Sequence, residues 1–392
     1  ANSYIGIFII MFSIISSGMV SVMTQNIGAG RPGVAYQARQ LGLLFNAVAG
    51  VLMAVFLFSG AGAILRMVGI ADALYEPALI YLKIVGGGCI LNAVIPIFSS
   101  YLRAFGYTKQ PLYATIVGNI ANFVMNAVFL FVLHKGVAGV AAATVISKIL
   151  NLCIVLYFSH KLISAKNSTE RIANKTVLGQ IVKVGLPSAC ETALYNVAMM
   201  LVIRFLNQMD AEGLNVTARS YTATISNFSY CVGAALAQAN AIMTGWHIGA
   251  GELEECDRGT KRAAFVGVCV AVCMETAIVL GSGFIMPLFT DNPEMTALVR
   301  KLLAIDIVLE IGRVTNLVFG QALKTSGDAV FPAVIAAVFM FVFAVGGTWL
   351  FGISMGLMAV GAYIGLASDE CVRAVGMVWR WKTGKWRTKK LV

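Results

Sequence analysis

Charged residues are scarce in this 392-residue chain, and their scarcity excludes most soluble folds. Asp, Glu, Lys and Arg make up only 12% of the sequence, about half of the roughly 25% that is usual in a soluble domain. A soluble protein of this length has too much surface to cover with so few charges. Hydrophobic residues reach 59%, which also excludes intrinsic disorder and a disulfide scaffold. The composition therefore indicates a protein that lies in a lipid bilayer.

The motifs of metal sites and of common enzymes are also missing. The three histidines, His134, His160 and His247, are widely separated, and no two of the eight cysteines form a Cys-x-x-Cys pair. The sequence contains no zincin HExxH motif, no Gly-x-Ser-x-Gly elbow and no phosphate-binding Gly-Lys-Ser/Thr. We therefore expect no catalytic residues, no bound metal centre and no resident cofactor.

Long apolar runs take the place of those motifs. A helix that crosses a bilayer needs about 20 mostly apolar residues. Such runs are continuous here, whereas barrel strands alternate in blocks of about ten residues. The sequence thus predicts an all-α polytopic membrane protein with eleven spans, at residues 3–25, 40–66, 78–102, 112–134, 137–159, 177–206, 216–245, 262–289, 295–323, 331–353 and 357–380.

Basic residues predict the orientation of these spans. Lys and Arg number 29 and Asp and Glu 18, and positive residues collect in cytoplasmic connections. The richest connections, with the C-terminal tail, all lie on one face of the predicted bundle. We therefore expect a multi-pass protein of the inner (plasma) membrane with a cytoplasmic C-terminus. The residues that define this face are Arg31, Arg39, Arg103, Lys109, Lys161, Lys166, Arg171, Lys175, Arg258, Lys261, Arg262, Lys324 and Arg380–Lys390.

The two halves of the chain repeat each other. The tetrapeptide Ile27–Gly30 recurs as Ile248–Gly251, and Gly106 recurs as Gly327, both at a spacing of 221 residues. Because six spans return the chain to its starting side, the halves are expected to be parallel repeats related by an axis along the membrane normal. The first-half counterpart of the span at 177–206 would precede Ala1. We therefore expect that one helix of the first six-helix lobe is missing from this chain.

This duplication predicts the domain organisation. It comprises an N-terminal lobe of five helices at 1–160, a cytoplasmic linker at 161–175, a C-terminal lobe of six helices at 176–381 and a basic cytoplasmic tail at 382–392.

Several motifs, taken in order, resemble those of the multidrug and toxic compound extrusion (MATE) family, in its bacterial branch. They are Gln25–Gly30, Gly245–Gly251, Arg103–Gly106 ahead of Pro111, the series Asn119, Asn122 and Asn126, Gly185–Pro187 with Glu191, Gly327-Asp328 ahead of Pro332, and the tail Arg380–Trp386. The similarity covers essentially the whole chain. It implies a transporter of two six-helix lobes around a central cleft, with export driven by H⁺ or Na⁺.

Four carboxylates inside the predicted spans are the candidates for coupling to a cation or proton. Glu191, Glu275, Asp306 and Glu310 all lie within apolar runs, where a charge is costly and is a functional candidate by default. The steps of four and three residues from Asp306 to Glu310 to Arg313 place these three on one helical face. The alternative is a structural role, in which the acids clamp Arg313 or hydrogen-bond to neighbouring helices.

Five further residues are candidates for the lining of a substrate cavity: Asn119, Asn122, Asn126, Tyr195 and Arg313. The resemblance implies that Asn126 stands where many bacterial relatives carry an Asp of a first-lobe proton site. Because an Asn cannot ionise, a neutral polar cavity is expected there instead. The alternative for the three Asn residues is hydrogen bonding between helices.

The function that these observations favour is secondary-active efflux. We expect export of organic cations or amphipathic compounds in exchange for H⁺ or Na⁺ by alternating access, with the chain acting as a monomer in contact with membrane lipid. No nucleic-acid partner is expected, because topology accounts for the positive charge. The alternative is a flippase for a lipid-linked or polyanionic substrate of the same wider superfamily. A membrane enzyme and a purely structural protein are both disfavoured.

Overall fold

The computed structural model describes residues 2–67, 72–163, 170–210 and 213–392, and in these ranges it contains helices and no β-strand. The predicted all-α fold is therefore confirmed. The residues form two compact units, Ala1–Ala189 and Cys190–Val392. The boundaries predicted from the sequence, including the linker at 161–175, remain predictions, and residues 164–169 of that linker lie outside the described ranges.

The first unit contains six helices and the start of a seventh. Its helix α2 packs against α1, α3 and α4, and α6 packs against α3, α4 and α5. The chain interrupts one rod at Gly88, so that α3 and α4 together occupy one predicted span, and α5 continues as a π-helix over Val128–Val132. The bounds are α1 Asn2–Gly28, α2 Pro32–Met67, α3 Asp72–Gly87, α4 Cys89–Ala104, α5 Lys109–Ala127, α6 Gly136–Leu162 and α7 Asn174–Met209.

The second unit is arranged around α10. This helix packs against α8, α9 and α12, and α12 also packs against two π-helical segments that continue α11. The bounds are α8 Leu214–Ala250, α9 Leu253–Ile285, α10 Pro293–Ser326, α11 Val330–Phe339, the π-helices Met340–Val345 and Thr348–Ser354, α12 Met358–Lys382 and a final 3₁₀ turn Lys385–Thr388.

The helices coincide with the predicted spans. With α3 and α4 taken as one rod, the described residues form eleven rods at the eleven predicted positions. Seven of these are long and apolar enough to cross a membrane by length and composition alone. Helices α8, α10 and α12 are not among the seven, and they carry most of the polar side chains of the second unit.

The backbone reflects the internal repeat. Gly30 and Gly251 both adopt a left-handed conformation, with φ of 73° and 80°, and so do Gly106 and Gly327, with φ of 85° and 99°. Each pair is separated by 221 residues. A left-handed turn favours Gly because a Cβ atom would be strained there. The repeated glycines therefore mark equivalent turns between helices in the two halves.

Candidate functional site

Acidic residues are distributed unequally between the two units. Residues 1–189 contain only three of the 18 acids, Asp72, Glu76 and Glu170. The interior of the second unit, in contrast, holds Glu275, Asp306, Glu310, Asp369 and Glu370, each at most 7% exposed. The second unit is therefore where the structure concentrates charge at membrane depth.

Three of these acids meet in one cluster, which we call the carboxylate triad: Glu275 of α9 with Asp306 and Glu310 of α10. One oxygen of each lies within 4.8 Å of the others, and their exposures are 0%, 3% and 0%. Neither carboxylate oxygen of Glu275 has a partner in hydrogen-bond geometry among the described residues, and the same holds for Oδ2 of Asp306. The structure thus brings together three of the four predicted coupling residues.

Arg313 provides the positive charge next to the triad. Its guanidinium donates to Glu310 one turn away and lies 3.6 Å, Nε to Oε1, from Glu370 of α12. It also lies over the ring of Tyr230, 5.7 Å from the centroid. The sequence-based alternative of an arginine clamped by two acids is thus realised with Glu310 and Glu370, whereas Asp306 belongs with Glu275.

Glu370 is held by two further side chains. Arg373 Nη2 lies 2.8 Å from Glu370 Oε1, and Asn316 Nδ2 donates to Glu370 Oε2 at 3.0 Å. The same arginine forms a two-pronged contact with Asp369, at 3.0 and 2.7 Å. Asp369 and Glu370 are therefore compensated by arginine, while the triad shares Arg313 with Glu370.

Close helix contacts make this arrangement possible. A Cβ atom on Gly312 would lie 2.7 Å from the backbone nitrogen of Cys371 and 2.8 Å from the carbonyl carbon of Glu370, so α10 touches the backbone of α12. A Cβ on Gly267 of α9 would lie 2.7 Å from Val314 of α10. Since only Gly permits such approach, these positions bring the acids of α9, α10 and α12 within reach of one another.

The fourth predicted coupling residue, Glu191, lies elsewhere. Its Oε2 is 2.8 Å from Nζ of Lys324, and the two side chains are 21% and 13% exposed. We had assigned Lys324 to a cytoplasmic connection; it lies instead in the last turn of α10 and is mostly buried against this acid. The span was predicted to end one residue too early, because the amphipathic stem of Lys can extend along a helix end.

Two adjoining cavities open beside these charges. One, of about 340 Å³, is lined by Tyr195, Arg313, Asp306 and residues of α7, α8, α10 and α12. The other, of about 210 Å³, is lined by Glu191, Tyr195, Arg313 and Arg373 among others. Tyr195 and Arg313 thus lie where the sequence placed them. The lining residues that the sequence analysis did not single out are Arg219, Asn227, Tyr230, Asn316 and Tyr363.

The predicted Asn series lies in the first unit. Asn119 and Asn122 line a cavity of about 200 Å³ together with Lys148. Asn126 donates from Nδ2 to Oδ1 of Asn122 at 3.1 Å, and Asn122 donates to Ser147 at 3.4 Å. Two of the three residues therefore line a cavity, while hydrogen bonds also tie the series together.

Comparison with known proteins extends these findings. The family model MatE matches residues 1–128 and 187–350. The protein "Uncharacterized transporter YisQ" of Bacillus subtilis (strain 168) is 31% identical over 395 residues, which is 99% of this chain and 86% of the relative.

Two solved structures show the same fold. A structure described as MATE in the straight conformation has a TM-score of 0.87 at 21% identity, covering 98% of this chain and 87% of the other. The MATE transporter ClbM in complex with Rb⁺ has a TM-score of 0.82 at 17% identity, covering 97% and 86%. The family match and the relative are both extensive, and they establish what kind of protein carries the carboxylate triad: the chain is a multi-pass membrane protein that belongs to the MatE family of transporters.

Proposed function

We propose that this chain is a secondary-active exporter of organic cations or amphipathic compounds, working by alternating access in exchange for H⁺ or Na⁺. The observation that carries the proposal is the carboxylate triad. Three acids at most 3% exposed share one arginine, which also contacts Glu370. Buried acids are normally paired or neutralised, so the triad needs a proton or a bound cation.

The spacing of the triad suits a single ion. Oxygens within 4.8 Å of one another leave room for a cation with metal–oxygen bonds of about 2.3–2.6 Å, the range of Ca²⁺. Na⁺ has nearly the same ionic radius, whereas Mg²⁺ prefers bonds of about 2.0–2.1 Å. A proton shared between Glu275 and Asp306 would neutralise the site equally well, because two close carboxylates resist joint ionisation.

Ion binding has a route to the helix contacts. Arg313 bridges Glu310 on its own helix and Glu370 on α12. A cation on the triad competes with Arg313 for Glu310 and shifts its guanidinium towards Glu370. The contact between α10 and α12 then differs in the loaded and empty states. A ligand drives a change only when it prefers one of the two states, and this competition supplies such a preference.

The larger cavity suits a flat organic cation. Its lining combines three tyrosines, Tyr195, Tyr230 and Tyr363, with the acids Asp306, Asp369 and Glu370. Aromatic faces attract cations, and carboxylates add the opposite charge. A polyanionic, lipid-linked substrate is disfavoured in this cavity, since the three acids outnumber the two arginines, Arg219 and Arg313.

The proposal includes a monomer in the plasma membrane with a cytoplasmic C-terminus. The test is efflux of a fluorescent organic cation from proteoliposomes that contain the purified chain, with pH and Na⁺ gradients imposed separately. We expect one gradient to drive efflux, and we expect Glu275→Gln and Asp306→Asn to abolish the dependence on that gradient. Glu294→Gln is the matched control, because Glu294 lies on the same helix but is exposed.

Gradient-driven efflux that persists in both triad variants would move the coupling role to Glu191. The absence of efflux with either gradient, from a chain that is folded and inserted, would contradict the proposed function.

A further inference from the structure

The cavity of the first unit has a chemical character of its own. It measures about 200 Å³, which is smaller than a pocket for a whole drug-sized molecule. It lies between α5 and α6, and apart from Gly118 all of its lining side chains are polar: Asn119, Asn122, Thr144, Ser147, Lys148 and Asn151. Its size and lining suit one polar group of a larger compound.

Lys148 is the one charged residue of this lining. Its Nζ donates to Oδ1 of Asn92 at 2.7 Å, and no ion pair with an acid is found for it in the described part of the chain. A lysine ammonium has three donors, so two remain for a ligand. The three acids of the unit, Asp72, Glu76 and Glu170, do not lie on α4, α5 or α6.

The same helices also present hydrogen-bond acceptors without donors. Oδ1 of Asn151, in the lining, and Oδ1 of Asn126, one turn beyond Asn122, are buried without a hydrogen-bond partner. A ligand that satisfies this face therefore combines a negatively charged oxygen for Lys148 with an N–H or O–H group for an amide oxygen. Carboxylates with a neighbouring donor have this chemistry.

The internal repeat supports the contrast between the units. Lys148 and Glu370 lie 222 residues apart, close to the spacing of 221 that relates Gly30 to Gly251. Equivalent positions on the last helix of each half thus carry opposite charges. In the second unit the position is an acid held by arginines, whereas in the first it is a cation that lacks an acid.

We propose that the first-unit cavity is an anion subsite, in which Lys148 binds a carboxylate or similar oxyanion of the transported compound. The preferred substrates are then zwitterionic amphipathic compounds, not simple cations. This inference rests on the proposed transport function, since it names the substrate class of that function.

The test uses a rhodamine dye as its methyl ester, a cation, and as its free acid, a zwitterion with the same ring system. Binding to the purified full chain is measured by fluorescence anisotropy, and efflux is measured from proteoliposomes. We expect the free acid to bind more tightly. We expect Lys148→Gln to weaken its binding about 10- to 100-fold, the factor for one charged hydrogen bond, and to leave the ester unaffected.

Two variants serve as controls. Lys148→Arg keeps the charge and is expected to keep the preference for the free acid. Lys83→Gln removes an exposed lysine of the same unit and is expected to change neither dye. Equal loss of both dyes in Lys148→Gln, no loss, or tighter binding of the ester by the unmodified chain would overturn the anion subsite.

The two proposals fail separately. Lys148-dependent binding of the free acid without gradient-driven efflux would reject the transport function and retain the subsite. Gradient-driven efflux of both dyes at equal rates, unchanged in Lys148→Gln, would reject the subsite and retain the transport function.

Discussion

Glu191 and Lys324 form an ion pair that joins the middle of α7 to the last turn of α10, with 2.8 Å between Oε2 and Nζ. The two residues are 133 positions apart in the sequence, and both side chains are mostly buried. Removal of one partner leaves the other charge without compensation in a poorly solvated place. The pair is therefore a structural link that the fold requires to be complete.

This pair predicts a recoverable loss of stability. We expect Glu191→Gln to lower the free energy of unfolding by about 1.5–3 kcal/mol, the value of a hydrogen bond to a charged group, because Lys324 is left unpaired. The double variant Glu191→Gln with Lys324→Met is expected to recover much of the loss. Thermal unfolding of the detergent-solubilised chain measures both. Additive losses in the double variant would show that the two side chains do not interact.

The triad predicts the opposite effect for Glu275. Its carboxylate is fully buried and has no hydrogen-bond partner among the described residues, so Glu275→Gln removes a costly group. We expect this variant to unfold at a higher temperature than the unmodified chain in the absence of a coupling ion. Ligands stabilise the state that binds them, so the coupling ion is expected to stabilise the unmodified chain and not the variant. A destabilised Glu275→Gln that still responds to the ion would contradict this account.

The contact between α10 and α12 predicts that Gly312 does not tolerate a side chain. Gly312→Ala places a Cβ atom 2.7 Å from the backbone of Cys371, and overpacking of this kind costs about 1–3 kcal/mol. The helices must separate, which also displaces Arg313 from Glu370. We expect lower thermal stability together with weaker transport. Gly179→Ala is the matched control, since a Cβ there meets no atom within 4 Å; equal stability of the two variants would refute the prediction.

The C-terminal tail predicts a packing contribution beyond α12. Trp386 stacks on Trp381, with 4.1 Å between ring centroids, and its indole donates to the Trp381 carbonyl at 3.0 Å. It is 1% exposed, and truncation of a buried Trp to Ala costs about 3–5 kcal/mol. We expect Trp386→Ala to lower the unfolding temperature clearly, and Trp349→Ala, whose side chain is 52% exposed, to have a small effect. A similar effect of both changes would mean that the tail is not part of the folded unit.

The orientation can be tested by fusion. Alkaline phosphatase folds into an active enzyme only outside the cytoplasm, so fusion after Val392 is expected to give an inactive enzyme. A fusion in the connection at Asp291, between α9 and α10, is expected to be active. Activity at Val392 would contradict the orientation that the basic residues predict.

Much of the fold follows from local sequence properties. Continuous apolar runs predict helices because a bilayer leaves backbone groups no partner outside the helix, and all eleven predicted runs correspond to rods. The repeat is also local in origin, since the glycines at its turns can be read directly. The break at Gly88 and the π-helical ends of α5 and α11 were not predicted, because they depend on packing against neighbouring helices.

The sequence by itself determined the class of protein, the positions of its helices and the presence of intramembrane acids, because hydropathy and helical spacing act over short distances along the chain. Only the tertiary structure decided which acids meet: Glu275 joins Asp306 and Glu310 across two helices, while Glu191 pairs with Lys324. The physical reason is that such contacts depend on how closely helices approach. Here that approach is set by the small size of residues such as Gly267 and Gly312, which no periodicity reveals.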